Sequence, residues 1–432
     1  MKNAVFSFER REILGAFTAG AMASVVIPAG VIAALASGSG RRVSVPLDHF
    51  RPGEGQVELE YEWGAPYRSE LPTVLLVADA QQFYVRPGAA ADLQAKLFGP
   101  NLNVLALFGR ASSPMVLDFV RPNGAVDWTR AARVLNIHQW IADIRSAVDA
   151  LGLQPRQLGL YGRSGGADLV LRFLAMYPAR AGRAYVQAAV THDLAARWGL
   201  SADHFWEQLT NIDPKRAERL ASYLVNAPQA RREAVLLLQR QNFYEALDNL
   251  SAARAALIDT IVSQDRVGIA DFRRRYQLDA IEALHAKGEN LSPVRLHEFS
   301  RAYDQWRKTA APIRPDIESI FYYAEPVDRA LYDVNVPTPP PGLEGLRQTT
   351  AEVLIVAGRH DHTADYRAQI GLAGLLPRSE LLLLDDDHVF KRLGSSGHHA
   401  ALLQGFFSGG LASPAFKSAL RDLAPLKWDE IH

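Results

Sequence analysis

Tyr161-Gly162-Arg163-Ser164-Gly165-Gly166 stands between a strand-like run, Gln157 to Tyr161, and a helix-like run, Ala167 to Tyr177. Its core is the pattern G-x-S-x-G. A serine hydroxyl is a poor nucleophile until a base takes its proton. A sharp strand-to-helix turn lifts such an oxygen clear of the sheet, and glycines avoid clashes where the backbone doubles back. Gly-rich turns also serve simply to pack a strand against a helix. The flanking elements, more than the five residues, therefore make Ser164 a candidate nucleophile.

Upstream, Val43 to Phe50, a turn at Arg51 to Gly55 and the alternating Val57, Leu59, Tyr61 and Trp63 read as a β-hairpin. Thr73 to Ala78 and Asn103 to Phe108 are short apolar strands with a helix predicted between them at Ala89 to Leu97. One long amphipathic helix is predicted over Trp128 to Leu151, carrying Ala132, Leu135, Trp140, Ile141, Ile144 and Val148 at helical spacing. After the elbow helix, Ala184 to Val190 reads as another buried strand. The βαβ rhythm argues for a largely parallel sheet.

From about Thr191 to Thr349 the strand-like runs vanish. Helical segments rich in Arg, Glu, Ala and Leu follow one another up to Tyr332, and a proline-rich connection, Pro337 to Gly342, closes the block. Strands resume at Glu352 to Ala357 and Glu380 to Leu384, with a helix from about Asp365 to Leu375 between them. The expected division is a sheet core over 41–190, a helical cap inserted over 191–349 and the rest of the core over 350–432. A cap at the carboxyl edge of a parallel sheet would cover the crevice where ligands bind.

Each returning strand ends in a residue that a serine needs. Gly358-Arg359-His360-Asp361 follows the first and Asp385-Asp386-Asp387-His388 follows the second. Histidine takes a proton near neutral pH, and a carboxylate holds the ring in the right tautomer and stabilises its cation. An aspartate after a strand is commonly a turn or cap residue, and a single histidine is commonly a surface residue. The order Ser164, Asp361, His388, each at a strand end, is what joins them into one candidate relay.

The chain has 432 residues, 48% of them hydrophobic and 22% charged, which suits an ordinary globular protein. Forty-seven basic residues balance forty-seven acidic ones, so no global field favours nucleic acid or an anionic membrane. The absence of cysteine excludes disulfides, thiolate catalysis and Cys-based zinc sites. Arg10-Arg11 precedes an apolar run from Ile13 to Ala36 that ends in Ala34-Leu35-Ala36. This resembles a twin-arginine export signal cleaved near Ala36, with a periplasmic or secreted destination and the export machinery as a partner. An uncleaved membrane anchor is the other reading, since the run is long enough to span a bilayer. No cofactor motif accompanies it.

Together the elbow, acid turn and histidine turn resemble the α/β-hydrolase fold, a mostly parallel sheet flanked by helices with an inserted helical cap. Val45-Pro46-Leu47-Asp48-His49-Phe50 is similar to the opening of secreted exopeptidases of the tripeptidyl aminopeptidase and proline iminopeptidase group. Leu403 to Leu411 is similar to that group's last helix and its glycine stop. The resemblance implies an exported serine hydrolase that forms an acyl-enzyme on a small peptide near its terminus. Carboxylic-ester hydrolysis is the alternative, and a non-catalytic binding protein is the alternative from another class.

Departures fall on the oxyanion site. Where the group has a His-Gly-Gly-type turn, this chain has Ala78-Asp79-Ala80-Gln81-Gln82-Phe83. The expected donors are the Gly165 amide and that of Ala80 or Gln81. The next turn, Phe108 to Ser113, is similar to the group's Arg-Gly-rich segment without its usual acid. An aminopeptidase would need a cap carboxylate for the substrate ammonium, and Glu207, Glu245, Asp304 and Glu325 qualify by type. Among bland readings, Trp198, Trp206, Phe243, Tyr244, Tyr303 and Trp306 are expected to pack helices. Asp365 is a reserve acid expected inside the following helix. Asp385 to Asp387 form a solvated turn, His398-His399 a solvated helix start, and His360 with His362 lacks a metal-ligand spacing.

Overall fold

The computed structural model describes residues 41–78, 85–286, 291–306, 312–332, 334 and 341–428. The leader and the Ala80–Gln81 oxyanion candidates lie outside them. Among the described residues no helix is long and apolar enough to cross a membrane.

Among the described residues eight strands form one sheet in the order β1-β2-β4-β3-β5-β6-β7-β8. They are β1 Arg41–Pro46, β2 Gln56–Trp63, β3 Thr73–Val77, β4 Asn103–Leu107, β5 Leu158–Arg163, β6 Arg183–Gln187, β7 Glu352–Gly358 and β8 Ser379–Leu384. The opening hairpin pairs antiparallel, with Val45 opposite Val57, and β2 joins β4 antiparallel. All other pairings are parallel, and every residue of β3 and β4 is buried. Continuous apolar strands of that kind need helices on both faces.

Those layers begin with α1 Ala89–Leu93, α2 Pro114–Val120, α3 Trp128–Leu135, α4 Ile137–Ala150 and α5 Gly165–Met176. The single long helix predicted over Trp128 to Leu151 is two. Asn136 takes an extended conformation (φ −65°, ψ 162°), and its side chain accepts from the Gln139 amide, so it caps α4. The apolar stripe predicted for the long helix survives in α4, where Trp140, Ile141, Ile144 and Val148 are buried on the sheet. Among the described residues the stretch between β6 and β7 holds no strand and comprises α6 His192–Arg197, α7 Phe205–Ile212, α8 Pro214–Asn226, α9 Arg231–Tyr244, α10 Leu247–Val262, α11 Arg266–Arg275, α12 Leu278–Ala286, α13 Ser292–Ser300 and α14 Pro315–Ala330, with three short 3₁₀ segments. It has its own core, built on Val235, Leu237, Ile258 and Tyr276. After β7 come α15 Tyr366–Ala373, α16 Lys391–Ser395, α17 His399–Gly409 and α18 Pro414–Asp422.

Arg110 is fully buried and finds its acid in α4 rather than nearby in sequence. Nε and Nη2 each donate to Asp143 at 2.6 Å, while Nη1 donates to the carbonyls of Leu47 and Val134 at 2.8 Å. One guanidinium thus ties the hairpin to α3 and α4. Removing one partner of a buried pair strands the other charge and typically destabilises by about 3–5 kcal/mol. Arg110→Met should therefore lower unfolding free energy by roughly 3 kcal/mol or more in denaturant titration. An unchanged midpoint would contradict the assignment.

Candidate active site

Ser164 sits between the last residue of β5 and the first of α5 with φ 52° and ψ −122°, a conformation that L side chains rarely adopt. Such a residue costs on the order of 1–3 kcal/mol and persists only where its surroundings fix it. Here the Ser164 amide donates to the Gln187 carbonyl at the end of β6, 2.8 Å away. Gly162 lets the turn close, since a Cβ there would lie 2.5 Å from the Gly166 carbonyl oxygen. Gly165 is the first residue of α5, so its N–H has no acceptor within the helix and lies beside the serine.

The other two residues follow neighbouring strands. His388 Nε2 is 3.0 Å from Ser164 Oγ, and His388 Nδ1 is 2.9 Å from both oxygens of Asp361. All three are buried. Asp361 Oδ1 also accepts from the amides of Thr363 and Ala364, at 2.8 and 2.7 Å. Burial alone would raise its pKa, but His388, His362 and the Ala364 amide outweigh burial and leave it lowered, so it holds its charge. The arrangement can pass the serine proton to an imidazole whose far nitrogen is held by an ionised carboxylate.

The two loops are laced together. The His360 amide donates to the Asp386 carbonyl at 3.0 Å, and a Cβ on Gly358 would lie 2.6 Å from that same oxygen. Asp386 and Asp387, expected in a solvated turn, are buried because their carboxylates accept backbone amides. Asp387 accepts from Val389 and Phe390, and Asp386 from Leu393. Burial raises the Asp386 pKa to about 6. Arg163, beside the serine, donates to the Val389 carbonyl at 3.2 Å and so joins elbow to histidine loop. His399, also expected in solvent, is buried against the Tyr185 hydroxyl at 3.1 Å, while His398 is exposed. The reserve acid Asp365 caps α15 and binds Arg367, away from His388.

Above Ser164 lies a cavity of about 860 Å³, part of it open to solvent. Phe243 and Tyr303, predicted to pack helices, are walls of it. The Phe243 ring meets His362 and His388 edge-on at 4.6 and 5.9 Å. Tyr303 bonds His192 Nδ1 at 2.7 Å; burial above all lowers the His192 pKa to about 3, so that ring stays neutral. None of the four predicted cap acids lines the cavity. Glu245 is buried but taken by Tyr276 and Arg275, Glu325 pairs with Arg232, and Glu207 and Asp304 are exposed.

The acids that do line it are Asp203 and Asp316, which the sequence reading missed. Asp203 Oδ2 accepts from the Asp316 and Ile317 amides at 2.9 and 3.1 Å, at the N-terminus of α14. Asp316 accepts from His362 at 2.7 Å and Asn242 at 3.1 Å. Burial of His362 would lower its pKa, but the Asp316 charge outweighs it and leaves the ring raised. His360 instead faces Asp385, at 2.9 Å. Pro315-Asp316 reads as a helix start, which signals capping; no local pattern signals a pocket. Three buried atoms on the cavity's lining residues have no partner among the described residues: Asp203 Oδ1, Gln239 Oε1 and His362 Nε2.

The chain belongs to the alpha/beta hydrolase fold family, whose pattern matches residues 108–391. Among solved structures it is similar to a bromoperoxidase from Bacillus anthracis, at 13% identity over 84% of this chain and 98% of that one, TM-score 0.39. It is also similar to an esterase from Exiguobacterium antarcticum, at 12% identity over 81% and 92%, TM-score 0.38. A third is an alpha/beta hydrolase enzyme from a Medee basin deep-sea metagenome library, at 14% identity over 81% and 94%, TM-score 0.41. No curated protein matches.

Burial, with the Asp316 charge, raises the Asp203 pKa to about 8. A carboxyl raised from its ordinary value near 3.9 stabilises the fold fully below about pH 4, and that contribution is lost as pH rises through about 8. Asp203→Asn keeps an oxygen for the two amides and cannot ionise. The melting temperature of the variant minus that of wild type should climb by about 2 °C or more between pH 5 and 9, read by calorimetry. A difference that is flat or falls contradicts the assignment.

Proposed function

We propose that this protein is a serine hydrolase acting through an acyl-enzyme, a peptidase that cleaves near peptide termini. Ser164 Oγ attacks the substrate carbonyl while His388 Nε2 takes its proton, and Asp361 steadies the imidazolium. The oxyanion that forms faces the Gly165 amide. Collapse expels the amine, which leaves with the proton held on His388. Water then enters, gives a proton to His388, attacks the acyl carbon and releases the acid and the free serine hydroxyl.

The observation that carries the peptidase reading is the pair of unpartnered buried oxygens, Asp203 Oδ1 and Gln239 Oε1, on residues lining the cavity over Ser164, the first of them an acceptor once its carboxyl ionises. A buried acceptor left without a donor costs about 1–3 kcal/mol, so the site is complete only when a ligand brings N–H groups. Peptides bring them as amides and as the terminal ammonium, whereas a plain acyl ester brings acceptors alone. A bound ammonium also supplies the positive charge that favours the ionised form of Asp203. The helical stretch between β6 and β7 acts as a cap that admits chain ends. The leader, Arg10-Arg11 with its apolar run, supports export to the periplasm or beyond.

An ester hydrolase is the second reading, favoured by the apolar walls Val190, Phe299, Ile317 and Ile320. The test is turnover of aminoacyl and peptidyl arylamides beside short acyl nitrophenyl esters by the mature protein and by Ser164→Ala. Arylamide turnover that Ser164→Ala loses by 10³-fold or more, the scale of a missing triad member, supports the peptidase. Ester turnover alone transfers the assignment to esterase, and equal background rates for both proteins contradict the hydrolase. Within the peptidase reading, N-acetylation of the substrate should lower kcat/KM about tenfold or more in wild type, and Asp203→Asn should shrink that ratio to a few-fold. An unchanged ratio would remove Asp203 from amine recognition.

A further inference from the structure

Next to the cavity over Ser164, and sharing with it the lining residues Ala202, Asp203, Asp316 and His362, lies a second cavity. It holds about 1560 Å³, part of it open solvent, and is bounded by α7, α10 and the loops after β7 and β8. Four of its lining residues are arginines. Arg216 pairs with Asp213 and Asp259, Arg392 with Asp385 and Asp248, and Arg359 with Asp385. Arg254 is the exception: among the described residues no carboxylate lies within ion-pairing distance of it. Its Nη1 donates to Gln208 Oε1 at 3.2 Å and its Nη2 to Asn242 Oδ1 at 3.0 Å, both neutral amides. Its Nε is buried with no partner, and its guanidinium lies 5.1 Å over the Phe205 ring.

Arg254 is half-buried with its Nε wholly so, and a guanidinium cannot relieve that desolvation by losing its proton, so the fork calls for an anion. Burial lowers the Arg254 pKa, while the charges of Asp316 and Asp203 oppose that shift from a distance. Among the carboxylates on this cavity, Asp316 is engaged by His362 and Asn242, Asp361 by His388, and Asp387 by two backbone amides, while Asp203 holds two amides with one oxygen and keeps the other unpartnered beyond ion-pairing distance of Arg254. Asn242 bridges the two halves of the arrangement, accepting from Arg254 and donating to Asp316. The planar fork is braced by two amides and an aromatic face, its Nε–H and one hydrogen on each terminal nitrogen are not taken up by those contacts, and its shape suits a carboxylate.

We propose that Arg254 is a carboxylate-binding residue of an extended substrate site, taking an acidic group of a substrate whose scissile carbonyl is at Ser164. The proposal rests on the hydrolase reading above. The acidic group is carried by either the acyl part or the leaving group, and the panel below separates the two.

Two measurements test it on the full mature protein. In the first, nitrophenyl esters and anilides with succinyl, glutaryl or adipoyl acyl groups are compared with their monomethyl esters, and carboxylated anilide leaving groups with plain ones. The expected result is a tenfold or greater kcat/KM preference for the carboxylate on one side of the scissile bond. That preference should fall to near one in Arg254→Gln and be partly kept in Arg254→Lys. In the second, glutarate alone should raise the melting temperature of wild type and not of Arg254→Gln. Glutarate stabilisation that depends on Arg254 supports the site even if every substrate is refused, an outcome that would count against the hydrolase reading alone. No stabilisation of wild type overturns the proposal, as does a substrate preference that Arg254→Gln leaves intact.

Discussion

Ser164 is held in a backbone conformation that the chain would not adopt by itself, and the architecture around it is what holds it there. The parallel register of β5 with β6 brings the Gln187 carbonyl to the serine amide, and the absence of a side chain at Gly162 lets α5 start within contact of the strand. The strain is local and the restraint is distributed over the sheet core, so the turn is rigid where a nucleophile must be aimed. Arg163 extends the restraint to the histidine loop through the Val389 carbonyl.

Sheet topology does the rest of the assembly. β7 and β8 are neighbours in register, so residues just past their ends, Asp361 and His388, meet although 27 positions apart. Close contact between Gly358 and the Asp386 carbonyl, with Asp386 and Asp387 folded inward onto backbone amides, fixes the distance between acid and imidazole. Each carboxylate in this region has a separate duty. Asp361 holds the imidazole, Asp386 and Asp387 build the turn, and Asp385 faces His360 and Arg392 at the rim.

What the sequence disclosed follows from the range of the interactions involved. The elbow, the strands and the triad order were legible because each depends on neighbours within a few residues or on a polar residue ending an apolar run. The break at Asn136 was missed because the apolar stripe continues across it, while a capping side chain stops the helix. The helical stretch between β6 and β7 was opaque because its contacts are made far along the chain. Glu245 and Asp203 are both acids in a helical stretch, and only three-dimensional packing gives the first to Tyr276 and leaves an oxygen of the second unpartnered beside the pocket. Asp203 meets its amide donors 113 positions away, a pairing no local pattern encodes. Phe243 and Tyr303 likewise became pocket walls because of where α9 and the turn after α13 lie over the sheet.

The proposed chemistry stands or falls on Ser164 as a nucleophile activated by His388. The direct measurement is the rate of fluorophosphonate labelling of the folded protein, with the modified residue located by mass spectrometry, in wild type and His388→Ala. The expected result is a single adduct on Ser164 that forms at least a hundredfold more slowly in the variant. No adduct on the folded wild type, an adduct on another residue, or equal rates in the two proteins would contradict it.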